Sequence, residues 1–170
     1  PHGCQLVSYV STGTNTSWGG EGLSLPCGAT IFATVRATNC AGLYSAVSSE
    51  GATLCCEAPT LGSVSIVDAA GEAVRVAGGN LQPSVSWTAF AEGCSGVLSY
   101  DVMLWRSSGT AALWQKTTSR LHAMIPAAIV ASLNHSESYL VTLTAMSHAG
   151  RPSSVSTSVL IDRSPPTMQT

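Results

Sequence analysis

The sequence predicts an all-β fold: antiparallel β-sandwiches in tandem, the first lacking its N-terminal strands. Three observations carry this. Apolar and polar residues alternate with a period of two over several short stretches. Turn-forming residues recur every 8–12 positions between them, the pattern of sandwich strands. The chain also repeats itself. "IFATVRATNCAGLYSAVSSEGATL" (31–54) lies without gaps over "YLVTLTAMSHAGRPSSVSTSVLID" (139–162), with Thr34/Thr142, Ala37/Ala145, Ala41/Ala149, Gly42/Gly150, Ser45/Ser153, Val47/Val155 and Ser48/Ser156 identical. Upstream, "GCQLVSYV" (3–10) resembles "GCSGVLSYDV" (93–102), matching Cys4 to Cys94 and Tyr9 to Tyr100.

Taken in order, "SVSIV" (63–67) is a short β-branched strand, suited to a pleated and half-buried surface. "PSVSWTAF" (83–90) alternates, placing Val85, Trp87 and Ala89 on one face. "VLSYDVMLW" (97–105) places Leu98, Tyr100, Val102 and Leu104 together, and Trp105 and Trp114 fall partly exposed on this strand and the next. "PAAIVASLN" (126–134) is the one stretch that reads as a helical turn, in a crossover. "SYLVTLTAMS" (138–147) aligns Tyr139, Val141, Leu143 and Ala145, and "SSVSTSVLI" (153–161) closes the unit. The repeat divides the chain into residues 1–56, the later part of one module; 57–163, a complete module; and 164–170, a linker into a further module. The first copy enters at the stretch equivalent to residue 93. Its first strands are therefore expected from elsewhere in a longer array or from another chain, and "PHGC" reads as the start of a processed chain or of a piece of one.

Composition narrows the function classes. The 170 residues are 45% hydrophobic and only 9% charged, well below the quarter typical of globular domains. Seven basic against nine acidic residues give a net charge of −2. Nucleic-acid binding needs a basic face, and seven scattered basic residues do not make one. No Lys/Arg run addresses a membrane surface, and the best apolar stretch, "AMIPAAIVA" (123–131), is far short of the ~20 residues that span a bilayer. The expectation is no nucleic acid and no direct membrane insertion. Six cysteines at 4, 27, 40, 55, 56 and 94 form no C-x-x-C pair, which fits an oxidised framework better than zinc. Two sequons, Asn15-Thr16-Ser17 and Asn134-His135-Ser136, make Asn15 and Asn134 candidate N-glycosylation sites.

A Trp in the second strand, a Tyr in the third, Tyr139-x-Val141-x-Leu143-x-Ala145, the Ala149-Gly150 turn and a Ser-rich last strand resemble the fibronectin type III domain, an immunoglobulin-like sandwich. The first copy carries the sister motif Ile31-x-Ala33-x-Val35-x-Ala37, then Ala41-Gly42, with Ile31 where the motif usually has Tyr. The cysteines are foreign to the common form. Disulfide-bearing versions look like repeats of secreted coat and ciliary-filament proteins of unicellular eukaryotes.

The resemblance implies a topology in which Cys27, Cys55, Cys56 and Cys94 converge on the junction between modules. It implies pairs Cys27–Cys55 and Cys56–Cys94, with the exchanged pairing open. Cys4 and Cys40 fall at the far pole of the first module and either pair together, or Cys4 bonds to a cysteine upstream. The competing readings of the junction are a zinc site of the four cysteines Cys27, Cys55, Cys56 and Cys94, disfavoured by two adjacent ligands, and a calcium site using Glu57, Asp68 and Glu92, for which the D-x-D pattern is missing.

No catalytic, cofactor-binding or metal site is expected. His2, His122, His135 and His148 read as surface residues, bridged cysteines cannot act as nucleophiles, and no G-x-S-x-G elbow is present. The functional expectation is a structural segment of an extracellular glycoprotein, giving spacing, stiffness and lateral contacts in a coat or mastigoneme-type filament. Its expected partners are neighbouring modules, copies of itself and N-linked glycans. Two alternatives stand beside it. One is an adhesion or receptor ectodomain binding through its loops; the other is a carbohydrate-binding module using Trp105 or Trp114.

Overall fold

The computed structural model describes residues 6–78 and 83–164. Cys4, His2 and most of the 164–170 linker lie outside them. Within them the protein is all-β with one short helix. The N-terminal part carries β1 (Thr30–Ile31), β2 (Thr34–Thr38), β3 (Tyr44–Ser48) and β4 (Ala52–Thr53). β2 pairs with β3 and β1 with β4, both antiparallel. The C-terminal part carries β5 (Val64–Val67), β6 (Val76–Ala77), β7 (Ser84–Trp87), β8 (Val97–Arg106), β9 (Ala112–Thr118), β10 (His122–Met124), α1 (Ala127–Ser132), β11 (Ser138–Ser147) and β12 (Pro152–Ile161).

The C-terminal strands form a three-stranded sheet, β10-β7-β5, and a five-stranded sheet, β6-β12-β11-β8-β9. Both contribute to one core, an arrangement consistent with a β-sandwich. Alternation builds it: Tyr139, Val141, Leu143 and Ala145 are fully buried, while Thr142 and Thr144 of β11 and Ser154, Ser156 and Ser158 of β12 face outward. On that outer face Thr142 pairs with Ser156 at 3.1 Å and Thr144 with Ser154 at 2.8 Å through their hydroxyls, cross-strand contacts of the kind that fix register. Ile66 and Val85 fill the core from the three-stranded sheet. Trp87 and Phe90 pack on Tyr100, with ring centroids 5.5 and 5.8 Å apart, and the Tyr100 hydroxyl accepts the Phe90 N–H at 3.3 Å.

Two expected core positions are not in the core. Leu98 is 51% exposed because the β8–β11 register shifts where Met146 and Ser147 meet Ser99 and Val97; a one-residue irregularity turns later side chains to the other face. Ala89 lies past the end of β7 and is exposed.

The N-terminal part has no buried side chain before Cys55 among its described residues. The stretch matched to the start of β8 forms no strand at residues 6–10. Tyr9, expected to match the buried Tyr100, instead lies exposed with its ring 4.6 Å from the Arg36 guanidinium.

Candidate functional site: the cysteine junction

The four junction cysteines form two disulfides, Cys27–Cys56 and Cys55–Cys94, with Cα atoms 5.6 and 5.7 Å apart. This is the exchanged pairing; the preferred assignment of Cys55 to Cys27 and Cys56 to Cys94 is corrected. The reason lies in the strand leading to them. Thr34 stands opposite Ser48, but Ile31 stands opposite Ala52. That is three steps on one strand and four on the other, with the extra residue at Glu50–Gly51. A gapless comparison misses this insertion, and one added residue flips every later side chain. Cys56, not Cys55, therefore faces Cys27.

Gly51 makes the insertion possible. Its φ is 103°, and a Cβ there would stand 2.7 Å from the Phe32 ring, so both backbone and space call for glycine. The Leu54 N–H then donates to the Ala29 carbonyl at 2.9 Å and the Gly28 N–H to that of Leu54 at 2.8 Å, carrying the pairing up to Cys27.

Cys94 is held by its own loop. The Glu92 carboxylate accepts the N–H groups of Cys94 at 3.2 Å, of Ser95 at 2.6 Å and of Gly96, and the Ser95 hydroxyl at 3.2 Å. Desolvation pushes its carboxyl up, but the N–H donors of Ser95, Gly96 and Cys94 outweigh it and hold the group below the usual carboxylate range. The loop is tied to the β11–β12 turn: the His148 N–H donates to the Gly96 carbonyl at 3.0 Å and the Ala149 N–H to the Ser95 hydroxyl at 3.2 Å.

The linker after Cys56 is laced to the sandwich. The Thr60 N–H and hydroxyl both donate to the Ala91 carbonyl, at 2.8 and 3.0 Å. The Ser63 N–H donates to the Thr88 hydroxyl at 2.8 Å. Pro59 and Cys55 are buried. A disulfide and a short ladder thus grip the same linker a few residues apart. The two bridges span 29 and 39 residues; restricting loops of that size in the unfolded chain contributes about 3.5–4 kcal/mol each in the chain-entropy account.

Chemically the junction is closed. Its four sulfurs are spent in bonds, so the zinc reading gives way to disulfides. Two of the three acids named for calcium are engaged locally, Glu92 as above and Asp68 accepting the N–H groups of Ala70 and Glu72, while Glu57 is exposed. Two disulfides fit an oxidising compartment such as the extracellular or secretory one. Among the described residues no group of three His, Cys, Asp or Glu is placed to hold a metal ion, and no helix is long and apolar enough to cross a membrane.

The remaining predicted residues are scattered. Asn15 is exposed in a turn, its N–H donating to the Thr12 carbonyl at 3.1 Å. Exposed Asn134 donates through its side chain to Glu137 at 2.9 Å. Cys40 is exposed and has no partner among the described residues. Trp105 and Trp114 are half-buried, Trp114 against the core.

One pinning site escaped the sequence reading. The buried Tyr139 hydroxyl accepts the Asn134 N–H at 2.7 Å and donates to the Glu137 carboxylate at 2.8 Å, the geometry of a tyrosine corner. The Tyr139 hydroxyl and the Asn134 amide hold the Glu137 carboxyl low, against desolvation and with help from Arg106, 3.8 Å away. Burial in turn pushes the Tyr139 phenol up. Arg163 closes the same loop, donating to the carbonyls of Val130, Ala131 and Leu133 at the end of α1 at 2.8–3.2 Å.

Compared with known proteins, the chain matches no family model and no curated protein sequence.

Proposed function

We propose that the chain is a segment of tandem fibronectin type III-like sandwiches in a secreted or cell-surface glycoprotein, where it sets spacing and stiffness in an extracellular coat or filament. The observation that carries this is the Cys55–Cys94 bond. It joins the end of the N-terminal hairpins to a loop of the sandwich and fixes the linker between them. A joint of this kind limits bending and offers no reactive group.

Shared details of the two hairpins support the tandem reading. The hydroxyl pair Thr142–Ser156 has its counterpart in Thr34–Ser48, at 2.8 Å. Asn39 and Ser147 each donate N–H across a turn, to Leu43 and Arg151, and Gly42 and Gly150 each adopt positive φ, 79° and 73°. The low charge and the exposed sequons at Asn15 and Asn134 suit a glycosylated outer surface.

The test compares the oxidised chain with C55S/C94S by small-angle X-ray scattering. The expected result is a narrower distribution of interatomic distances and a sharper maximum dimension for the oxidised chain. Identical profiles would remove the stiffening role.

A further inference from the structure

The β2–β3 hairpin has one finished face and one bare face. On the finished face Thr34 bonds to Ser48, and the Arg36 guanidinium lies 4.6 Å from the Tyr9 ring and 5.4 Å from that of Tyr44, a cation–π contact between exposed side chains. On the other face Val35 stands opposite Val47 and Ala37 opposite Ser45. Here Val35 is 65% exposed and Val47 69%. Side chains alternate across a strand, so the two faces are independent surfaces. A sheet that completes its polar face and leaves its apolar face in water is half of a two-layer structure.

We infer that this bare face binds a second antiparallel sheet with one apolar face, of the β10-β7-β5 kind, supplied by strands N-terminal to the hairpin in the longer polypeptide. The inference rests on the tandem reading and names what completes the first module. The sandwich shows the cover. Leu143, Ala145 and Val155, which align with Val35, Ala37 and Val47, pack in one core with Ile66, Val85, Trp87 and Ala123 of β5, β7 and β10. The source follows from the repeat: in the sandwich, β5, β7 and β10 precede the aligned strands β11 and β12 in the same chain. A second copy is a poorer occupant, because the few small side chains on each bare face would bury far less than the ~800 Å² per partner of a stable interface.

The test duplicates residues 57–92, the stretch that carries β5 and β7, ahead of Gly3. Amide exchange is followed by mass spectrometry, alongside binding of an apolar-surface dye. In the chain as it stands, residues 34–48 should exchange rapidly and bind dye. In the lengthened chain their exchange should slow roughly 100-fold, as for amides released only by opening of a packed unit, and the dye signal should fall. Adding V35D/V47D to the lengthened chain should restore fast exchange. Unchanged exchange on lengthening, or protection that survives V35D/V47D, overturns the inference. So does a dimer of the unlengthened chain in sedimentation that V35D dissociates, since a second copy would then be the cover. None of these outcomes bears on the scattering difference between oxidised chain and C55S/C94S, so failure here is separable from failure of the stiffening role.

Discussion

Replacing Tyr139 with Phe removes one oxygen from a site with no solvent access. Two bonds go with it: the neutral one from the Asn134 N–H at 2.7 Å, and the one donated to the Glu137 carboxylate at 2.8 Å. A neutral bond is worth about 1 kcal/mol net and one involving a charged partner about 1.5–3 kcal/mol. Glu137 keeps Asn134 Nδ2 at 2.9 Å and is partly solvated, so the lower end applies. The ring itself fills the same space in either residue, and no cavity cost enters. The expected loss is therefore about 2–3 kcal/mol. For a unit of this size each kcal/mol moves the midpoint by roughly 4–8 °C, so Y139F should melt roughly 8–24 °C lower in calorimetry. The double variant Y139F/E137Q should be less destabilised than the sum of the singles, since both remove one contact. A Y139F midpoint within a degree or two of the parent would refute the reasoning, and so would strict additivity.

Leu143→Ala, at a fully buried position, should cost about 3–4 kcal/mol in urea unfolding. Gly62→Ala should cost about 2 kcal/mol, because its Cβ would meet the Thr88 carbonyl oxygen and the Phe90 ring, and backbone does not yield cheaply. Non-reducing peptide mapping should recover Cys27 linked to Cys56 and Cys55 linked to Cys94; Cys27 linked to Cys55 would show that Glu50–Gly51 does not shift the strand. For Glu92, the folded pKa lies below the unfolded one, so its stabilising effect is present above the usual carboxylate range. It is lost as pH falls through the lower folded value. The melting midpoint of the parent should thus fall over that window more steeply than that of E92Q.

β5, β7, β8, β11 and β12 are legible in the sequence because each is a β-branched or alternating run long enough to read, and most of their burial follows from the period. β6 and β4, two residues each, carry no period to read. The disulfide partners illustrate a different limit. The positions of the cysteines at one junction follow from topology, but which of two adjacent cysteines faces Cys27 depends on a single inserted residue, and a gapless alignment has no place for it. The same comparison hides a substitution of mechanism. In the tandem reading, Ile31 stands where the sandwich has Tyr139, so the first unit lacks the hydroxyl that pins the loop before the strand. Cys27 lies in that loop and is bonded to Cys56. With the one-residue shift included, Cys27 and Cys56 correspond to His135 and Arg163, and the Arg163 N–H donates to His135 Nδ1 at 3.0 Å. One loop is closed by a covalent bond; the other by a tyrosine, a histidine and an arginine in non-covalent contacts. The absence of Tyr at 31 and the presence of Cys at 27 are then one fact: a unit without the tyrosine anchor holds its loop with sulfur, leaving the neighbouring Cys55 to hold the module ahead.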